Sequence, residues 1–120
     1  MLAHRLRHRV TFQALQVEVD SDGYRRETWH NVWLDSDTEL ANVPAEVLTG
    51  PGRDFVGSAA PQAETSARIN VRWFPVDARA LQSWRVLWDG GVYSITSVET
   101  DLTARREWRL RVVAGPREGL

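Results

Sequence analysis

Apolar and polar residues alternate along most of the second half of the chain, residues 68–113. The first run places three apolar residues on one face and three polar residues on the other: Ile69, Val71 and Trp73 against Arg68, Asn70 and Arg72. Similar runs follow at residues 84–88, 92–98 and 108–113. Strict alternation is typical of half-buried strands, and Asp89-Gly90-Gly91 between two runs favours a tight hairpin because these residues tolerate positive φ. The pattern predicts an antiparallel meander.

The first half of the chain has a similar but less regular pattern. It predicts a first strand from Leu6 to Val19, a polar turn at Asp20-Ser21-Asp22-Gly23, and a second strand over residues 24–34. An acidic loop at residues 35–39 then precedes a third strand at residues 43–48.

A short helical turn is predicted between two strands of the second half. Asp77 follows Pro75 and is placed to cap this turn, with Leu81 packing inward.

Residues 49–66 lack the alternation and carry few large apolar side chains. Within them, residues 53–60 form a candidate short helix. A polar connection of this length in a small domain is more often functional or disordered than part of the core. The chain is therefore predicted to be mainly all-β, with one domain over residues 1–120. We expect a small antiparallel β-barrel with a long internal loop, one or two short helical turns and a frayed tail at residues 115–120.

Size and composition exclude several classes of protein. A chain of 120 residues buries enough surface for one stable core. It has no cysteine, which excludes disulfides and thiolate metal sites. No apolar run approaches the roughly 20 residues of a membrane-spanning helix, and residues 1–10 lack the apolar stretch of a signal peptide. We therefore expect no membrane partner and a soluble compartment.

Charge is distributed unevenly, although the net charge is only −1. Residues 14–67 hold ten acidic residues against three arginines, whereas residues 68–120 hold nine arginines against six acidic residues. A dedicated nucleic-acid-binding domain is usually net basic, so the overall balance argues against that as the main function. Every basic residue is arginine, whose planar guanidinium suits bidentate contacts at interfaces.

The sequence offers little that a catalyst would use. His4 and His8 lie among arginines, which disfavours a bound cation, and no Gly-x-Ser-x-Gly or phosphate-binding glycine loop occurs. Asp20-Ser21-Asp22-Gly23 and residues 35–39 resemble fragments of calcium loops, but neither completes the twelve-residue ligand pattern. Turn formation accounts for the first and solvation for the second. We predict no catalytic residue, no cofactor and no metal ion, and the chain is not expected to be an enzyme.

Six tryptophans are the other unusual feature of the composition. Trp73, Trp84 and Trp108 have apolar neighbours two positions away and are predicted to lie in the core. Trp29 and Trp33 lie at a strand end beside the acidic loop, where they are better candidates for interface anchors, since tryptophan and arginine are common at binding hot spots.

Several short segments, spread in order along nearly the whole chain, together match a known pattern. They are Leu6-Arg7-His8-Arg9-Val10-Thr11-Phe12-Gln13, Val43-Pro44-Ala45-Glu46-Val47, Gly52-Arg53-Asp54, residues 68–73, Trp84-Arg85-Val86, Gly91-Val92-Tyr93-Ser94-Ile95, and Asp101 with residues 105–112. Together they resemble the head–tail joining family of tailed bacteriophages, whose members are also called head-closure, stopper or adaptor proteins.

The resemblance implies a structural virion protein in the neck of the particle, assembled in the host cytoplasm. Copies would form a homo-oligomeric ring below the portal or adaptor protein and above a tail-completion or tail protein. Such a ring would help retain packaged double-stranded DNA, without sequence specificity, and give the tail its attachment platform. The alternative is a small β-barrel that binds nucleic acid or a host protein through its arginine and tryptophan surface.

Two groups of residues are candidates for these roles. The channel loop is expected to include Gly52, Arg53, Asp54, Phe55, Gly57 and Ser58. The ring or partner interface is expected to use Arg68, Arg72, Arg85, Arg109, Arg111, Trp29 and Trp33. A ring needs two different surfaces that meet between neighbours, and outward arginines facing an acidic segment would supply them.

Overall fold

The computed structural model describes residues 6–49, 66–101 and 103–115. Nine strands and one short helix lie in these ranges. They are β1 (His8–Val19), β2 (Arg25–Asn31), β3 (Trp33–Asp35), β4 (Thr38–Glu39), β5 (Val43–Thr49), β6 (Ala67–Arg72), α1 (Ala78–Gln82), β7 (Arg85–Trp88), β8 (Gly91–Thr100) and β9 (Glu107–Ala114).

Six of the strands close into an antiparallel barrel in the order β1-β5-β6-β9-β8-β7, and β7 pairs back onto β1. The prediction of a small all-β barrel is confirmed. The meander is correct for β7, β8 and β9, but β6 lies beside β9 and not beside β7. The reason is the connection through α1, which carries the chain from β6 to the far side of β8 before β7 begins.

β1 takes part in both the barrel and a projecting hairpin. Residues 8–10 pair with β5 and residues 11–13 with β7, so the first half of the strand closes the barrel. Residues 13–19 pair with β2 across the turn after Val19. From residue 14 onward the two strands form a ribbon that extends past the end of the barrel. We call this part, residues 14–31, the β1–β2 hairpin.

The predicted second strand is interrupted. The pairing of β2 with β1 ends at Asn31, and β3 then pairs with β4 in a separate two-stranded sheet. The break occurs at Val32, whose backbone instead bonds to Phe12 and Leu40 and so ties this segment to the barrel. The acidic loop at residues 35–39 is the turn of this small sheet.

The core lies inside the barrel and under α1. Phe12, Ile69 and Val71 have no exposed side-chain surface, and Trp84 and Trp108 are also buried, as predicted. Trp73 lies beyond the end of β6 and is only partly buried. The prediction that Trp73 lies in the core is therefore wrong in part. Its ring instead stacks on Trp108 with centroids 6.1 Å apart.

Two local predictions are confirmed by the backbone. The Asp77 side chain accepts a hydrogen bond from the Arg79 N–H at 3.2 Å at the start of α1, and Leu81 is fully buried. Asp89 and Gly90 both have positive φ, 50° and 77°, in the turn between β7 and β8. That combination matches the right-handed twist of a two-residue hairpin.

Candidate functional site

Four of the predicted interface arginines lie together on the outer face of the barrel. Arg68 of β6 stands directly opposite Arg111 of β9, and Arg72 stands opposite Glu107. Arg109 lies between them along β9 and bonds to Glu107 through its Nε at 3.0 Å. That hydrogen bond raises the pKa of Arg109 above its usual value. We call Arg68, Arg72, Arg109 and Arg111 the arginine face.

Arg85 and Trp29 lie apart from the arginine face and contact each other. The Arg85 guanidinium lies over the Trp29 ring, 4.5 Å from its centroid, and Arg85 Nε donates to Gln13 Oε1 at 2.9 Å. Gln13 in turn donates to Asn31, which donates to Glu39. Burial lowers the pKa of Arg85. These contacts fix the base of the β1–β2 hairpin to the barrel wall.

Trp33 is 55% exposed at the start of β3. It keeps an open aromatic surface beside the acidic turn at residues 35–39, as an anchor would. The structure therefore separates the seven predicted interface residues into the arginine face, the Arg85–Trp29 pair and Trp33.

The predicted channel-loop residues, Gly52, Arg53, Asp54, Phe55, Gly57 and Ser58, lie outside the described residues. The same is true of the candidate helix at residues 53–60 and of the tail beyond Gly115.

The sequence interpretation missed an exposed apolar row on the β1–β2 hairpin. Leu15, Val17 and Val19 point to one side of β1 and are 39%, 44% and 65% exposed. Val10 and Phe12, at even positions, point into the barrel, whereas the later apolar residues occupy odd positions. This change of phase is visible in the sequence and marks where the strand leaves the barrel, because a one-residue shift turns every apolar side chain to the opposite face.

A groove also opens beside the aromatic stack of Trp73 and Trp108. It has a volume of about 820 Å³, with Val76 and Val98 among its apolar lining residues. Its charged residues are Asp77, Glu99, Arg105 and Arg109, and the Arg105 guanidinium lies 5.4 Å from the Trp73 ring centroid. We call this feature the Trp73 groove.

The two aspartate-rich turns are held by their own backbone. Asp20 Oδ1 accepts hydrogen bonds from the N–H groups of Asp22 and Tyr24, both at 2.9 Å. Asp35 Oδ1 accepts from the Asp37 N–H at 2.8 Å, which lowers the pKa of Asp35. The second turn therefore uses the same side-chain-to-backbone bonding as the first, which corrects the prediction that solvation accounts for it.

Neither a metal-binding cluster nor a membrane-spanning helix occurs in the described part of the chain. No group of three His, Asp or Glu side chains in it is arranged to hold a metal ion. None of its helices has the length and apolar character needed to cross a membrane.

Comparison with known proteins gives one family and one fold. The solution structure of protein SF1141 from Shigella flexneri 2a matches with a TM-score of 0.70, covering 98% of this chain and 100% of that chain at 23% identity. At that identity the likeness shows the fold alone. No curated protein sequence matches this chain. The model of the phage head completion protein family matches residues 1–115. The chain therefore belongs to the phage head completion protein family, with a structural role in head closure in the virion.

Proposed function

We propose that this head completion protein is a ring-forming connector subunit in the neck of the virion. It docks below the portal or adaptor protein, contacts a tail-completion or tail protein on its other side, and is assembled in the host cytoplasm. The family supports the head-closure part of this proposal. The ring, its partners and the retention of DNA are the parts of the proposal that go beyond the family.

The observation that carries the ring is the separation of charge between two parts of the described chain. Residues 14–49 hold eight acidic residues and two arginines, a net charge of −6. Residues 66–115 hold eight arginines and five acidic residues, a net charge of +3. A ring is built from one surface of a subunit meeting a different surface of its neighbour, and opposite charge on the two surfaces favours that contact over contact between like surfaces.

The arginine face gives the positive surface a defined position. Its four guanidinium groups project from two adjacent strands of a closed barrel, which holds them at fixed spacing. A rigid array of this kind suits bidentate pairing with carboxylates of a neighbouring protein. The role proposed for it is structural, in keeping with the family.

We assign DNA retention to the loop at residues 49–66. Its charged residues are Arg53, Asp54 and Glu64, a net charge of −1. A segment with so little positive charge makes few phosphate contacts, so it would block or line a channel without binding DNA tightly.

The ring is tested by native mass spectrometry and electron microscopy of the purified chain, alone and with its portal or adaptor protein. We expect closed rings in at least the second sample. Reversing Arg68 and Arg111 to glutamate should prevent them, whereas Arg79→Glu, on the exposed surface of α1, should not. A strictly monomeric chain that ignores the portal and binds DNA with a steep salt dependence would instead support the nucleic-acid-binding alternative.

The loop is tested by deleting residues 52–60. Filled heads should then lose DNA while the purified protein still unfolds cooperatively. A matched variant that replaces these nine residues with a Gly/Ser segment of equal length separates loop length from loop sequence. Loss of cooperative unfolding in the deletion variant would place the segment in the core and contradict the assignment.

A further inference from the structure

The β1–β2 hairpin exposes an apolar surface that the described residues leave uncovered. Leu15, Val17 and Val19 form a row along β1. Trp29 stands opposite Leu15 on the same face, but its ring is half-buried under the Arg85 guanidinium. A two-stranded ribbon by itself is at best marginally stable in water, and an apolar face needs a partner. The hairpin face therefore has the properties of a surface that is covered on assembly.

The Trp73 groove has the complementary composition. Its floor is apolar, with Trp73, Val76 and Val98, and its edges carry charges of both signs. On the hairpin face, the charged residues Glu27 and Arg25 stand opposite Val17 and Val19 and form an exposed ion pair with each other at 3.6 Å. An apolar row flanked by one acid and one arginine thus matches an apolar groove flanked by Arg105 and Asp77.

The positions of the two surfaces in the barrel suit a ring. In the closed order of six strands, β9 lies three strands from β1 in either direction, so the hairpin and the groove are on opposite walls. β1 and β6 run in the same direction because each is antiparallel to β5. The hairpin leaves the barrel at the end of β1, and the groove lies where β6 ends at Trp73, so both are at the same end of the barrel.

We propose that the β1–β2 hairpin of one copy packs into the Trp73 groove of the next copy. This inference rests on the proposed ring and names the surfaces that build it. Val17 lies at the centre of the contact. The Arg25–Glu27 ion pair opens on assembly, so that Glu27 pairs with Arg105 of the partner subunit and Arg25 pairs with Asp77 of the partner subunit. The hairpin and the groove lie at the same end of the barrel on opposite walls. Their contact is therefore head-to-tail, and it closes into a ring when the angle between copies allows it.

Cysteine trapping tests the contact directly, because the chain has no cysteine of its own. Two single variants, Val17→Cys and Val76→Cys, are purified separately and then mixed under mild oxidation, with the portal or adaptor present if assembly requires it. We expect disulfide-linked dimers of mixed composition in the mixture and few in either variant alone. Dimers formed mainly within the Val17→Cys sample would indicate a symmetric hairpin contact and overturn the proposal.

Assembly measurements supply an independent test. Val17→Glu should raise the concentration needed for half-assembly by about tenfold or more, since the charge would be buried in the groove. Ala80→Glu is the control, because Ala80 is exposed on α1 and belongs neither to the groove lining nor to the arginine face. Arg105→Glu should weaken assembly, and Glu27→Arg in the same chain should recover part of the loss.

The results of these experiments distinguish a failure of the hairpin contact from a failure of the proposed ring. Rings that persist in Val17→Glu, with no mixed disulfide, leave the ring in place and overturn the hairpin contact. Rings that persist while binding to the portal or adaptor is lost assign the hairpin face to that protein instead. A wild-type chain that stays monomeric with and without those proteins overturns the ring and this contact together.

Discussion

Arg85 and Trp29 are 56 positions apart in the sequence, and the guanidinium of one lies 4.5 Å from the ring centroid of the other. The contact joins β7 of the barrel to β2 of the hairpin. It gives Arg85 a role within the chain, because it fastens the hairpin to the barrel wall.

Replacing Arg85 by alanine should lower the free energy of unfolding by about 2 kcal/mol, through the lost cation–π contact and the lost bond to Gln13. Chemical denaturation measures the change. A double-mutant cycle with Trp29→Leu should give a coupling of about 1 kcal/mol. Arg79→Ala is the control and should change stability by less than about 0.5 kcal/mol. Equal effects of Arg85→Ala and Arg79→Ala would contradict this role.

Asn70 is the polar residue of β6 that the alternation places outside, yet it is only 7% exposed. Its Nδ2 donates to Glu46 Oε1 at 2.8 Å. Asn70→Ala would remove this hydrogen bond, so we expect a loss of about 1 kcal/mol.

Asn70→Gln, which keeps the amide donor, should lose less stability than Asn70→Ala. Urea denaturation checks both variants, and equal losses would show that the hydrogen bond does not set the cost.

The carboxyl of Asp101 accepts hydrogen bonds from the Thr103 hydroxyl and from the Thr103 and Ala104 N–H groups, and these lower its pKa from 3.8. A folded-state pKa below the unfolded value gives stability that is present above pH 3.8 and lost as pH falls through the folded pKa. Asp101→Asn should remove this contribution. The difference in melting temperature between wild type and Asp101→Asn should therefore be constant near neutral pH and shrink below pH 3.8. A difference that grows on acidification would contradict the assignment.

The β7–β8 turn offers a test of backbone strain without steric overlap. Gly90 has φ of 77°, and a Cβ added there would meet no atom within 4 Å. Gly90→Ala should therefore cost about 1 kcal/mol through conformation alone. Gly90→Asn should cost less, since asparagine tolerates positive φ. Thermal denaturation of the two variants gives the comparison, and equal losses would show that φ does not set the cost.

The resemblance to head–tail joining proteins, carried by short segments that follow one another along this chain, is confirmed at the level of the family. The interface residues and the channel loop stay predictions. The arginine face was accessible to sequence reasoning because alternation assigns each residue to one side of its own strand. The Trp73 groove was not, since its walls come from β8, β9 and the connection before α1.

Most of the strands, the Asp89-Gly90 turn, the Asp77 cap and the all-β class follow from the sequence alone, although the break between β2 and β3 does not. Each depends on residues within a few positions of one another, where side-chain alternation and backbone preference act. The closure of β7 onto β1, the pairing of β6 with β9 and the contact of Arg85 with Trp29 become visible only in the folded chain. These pairings join distant parts of the chain. They depend on how six twisted strands close around one core, which no local pattern specifies.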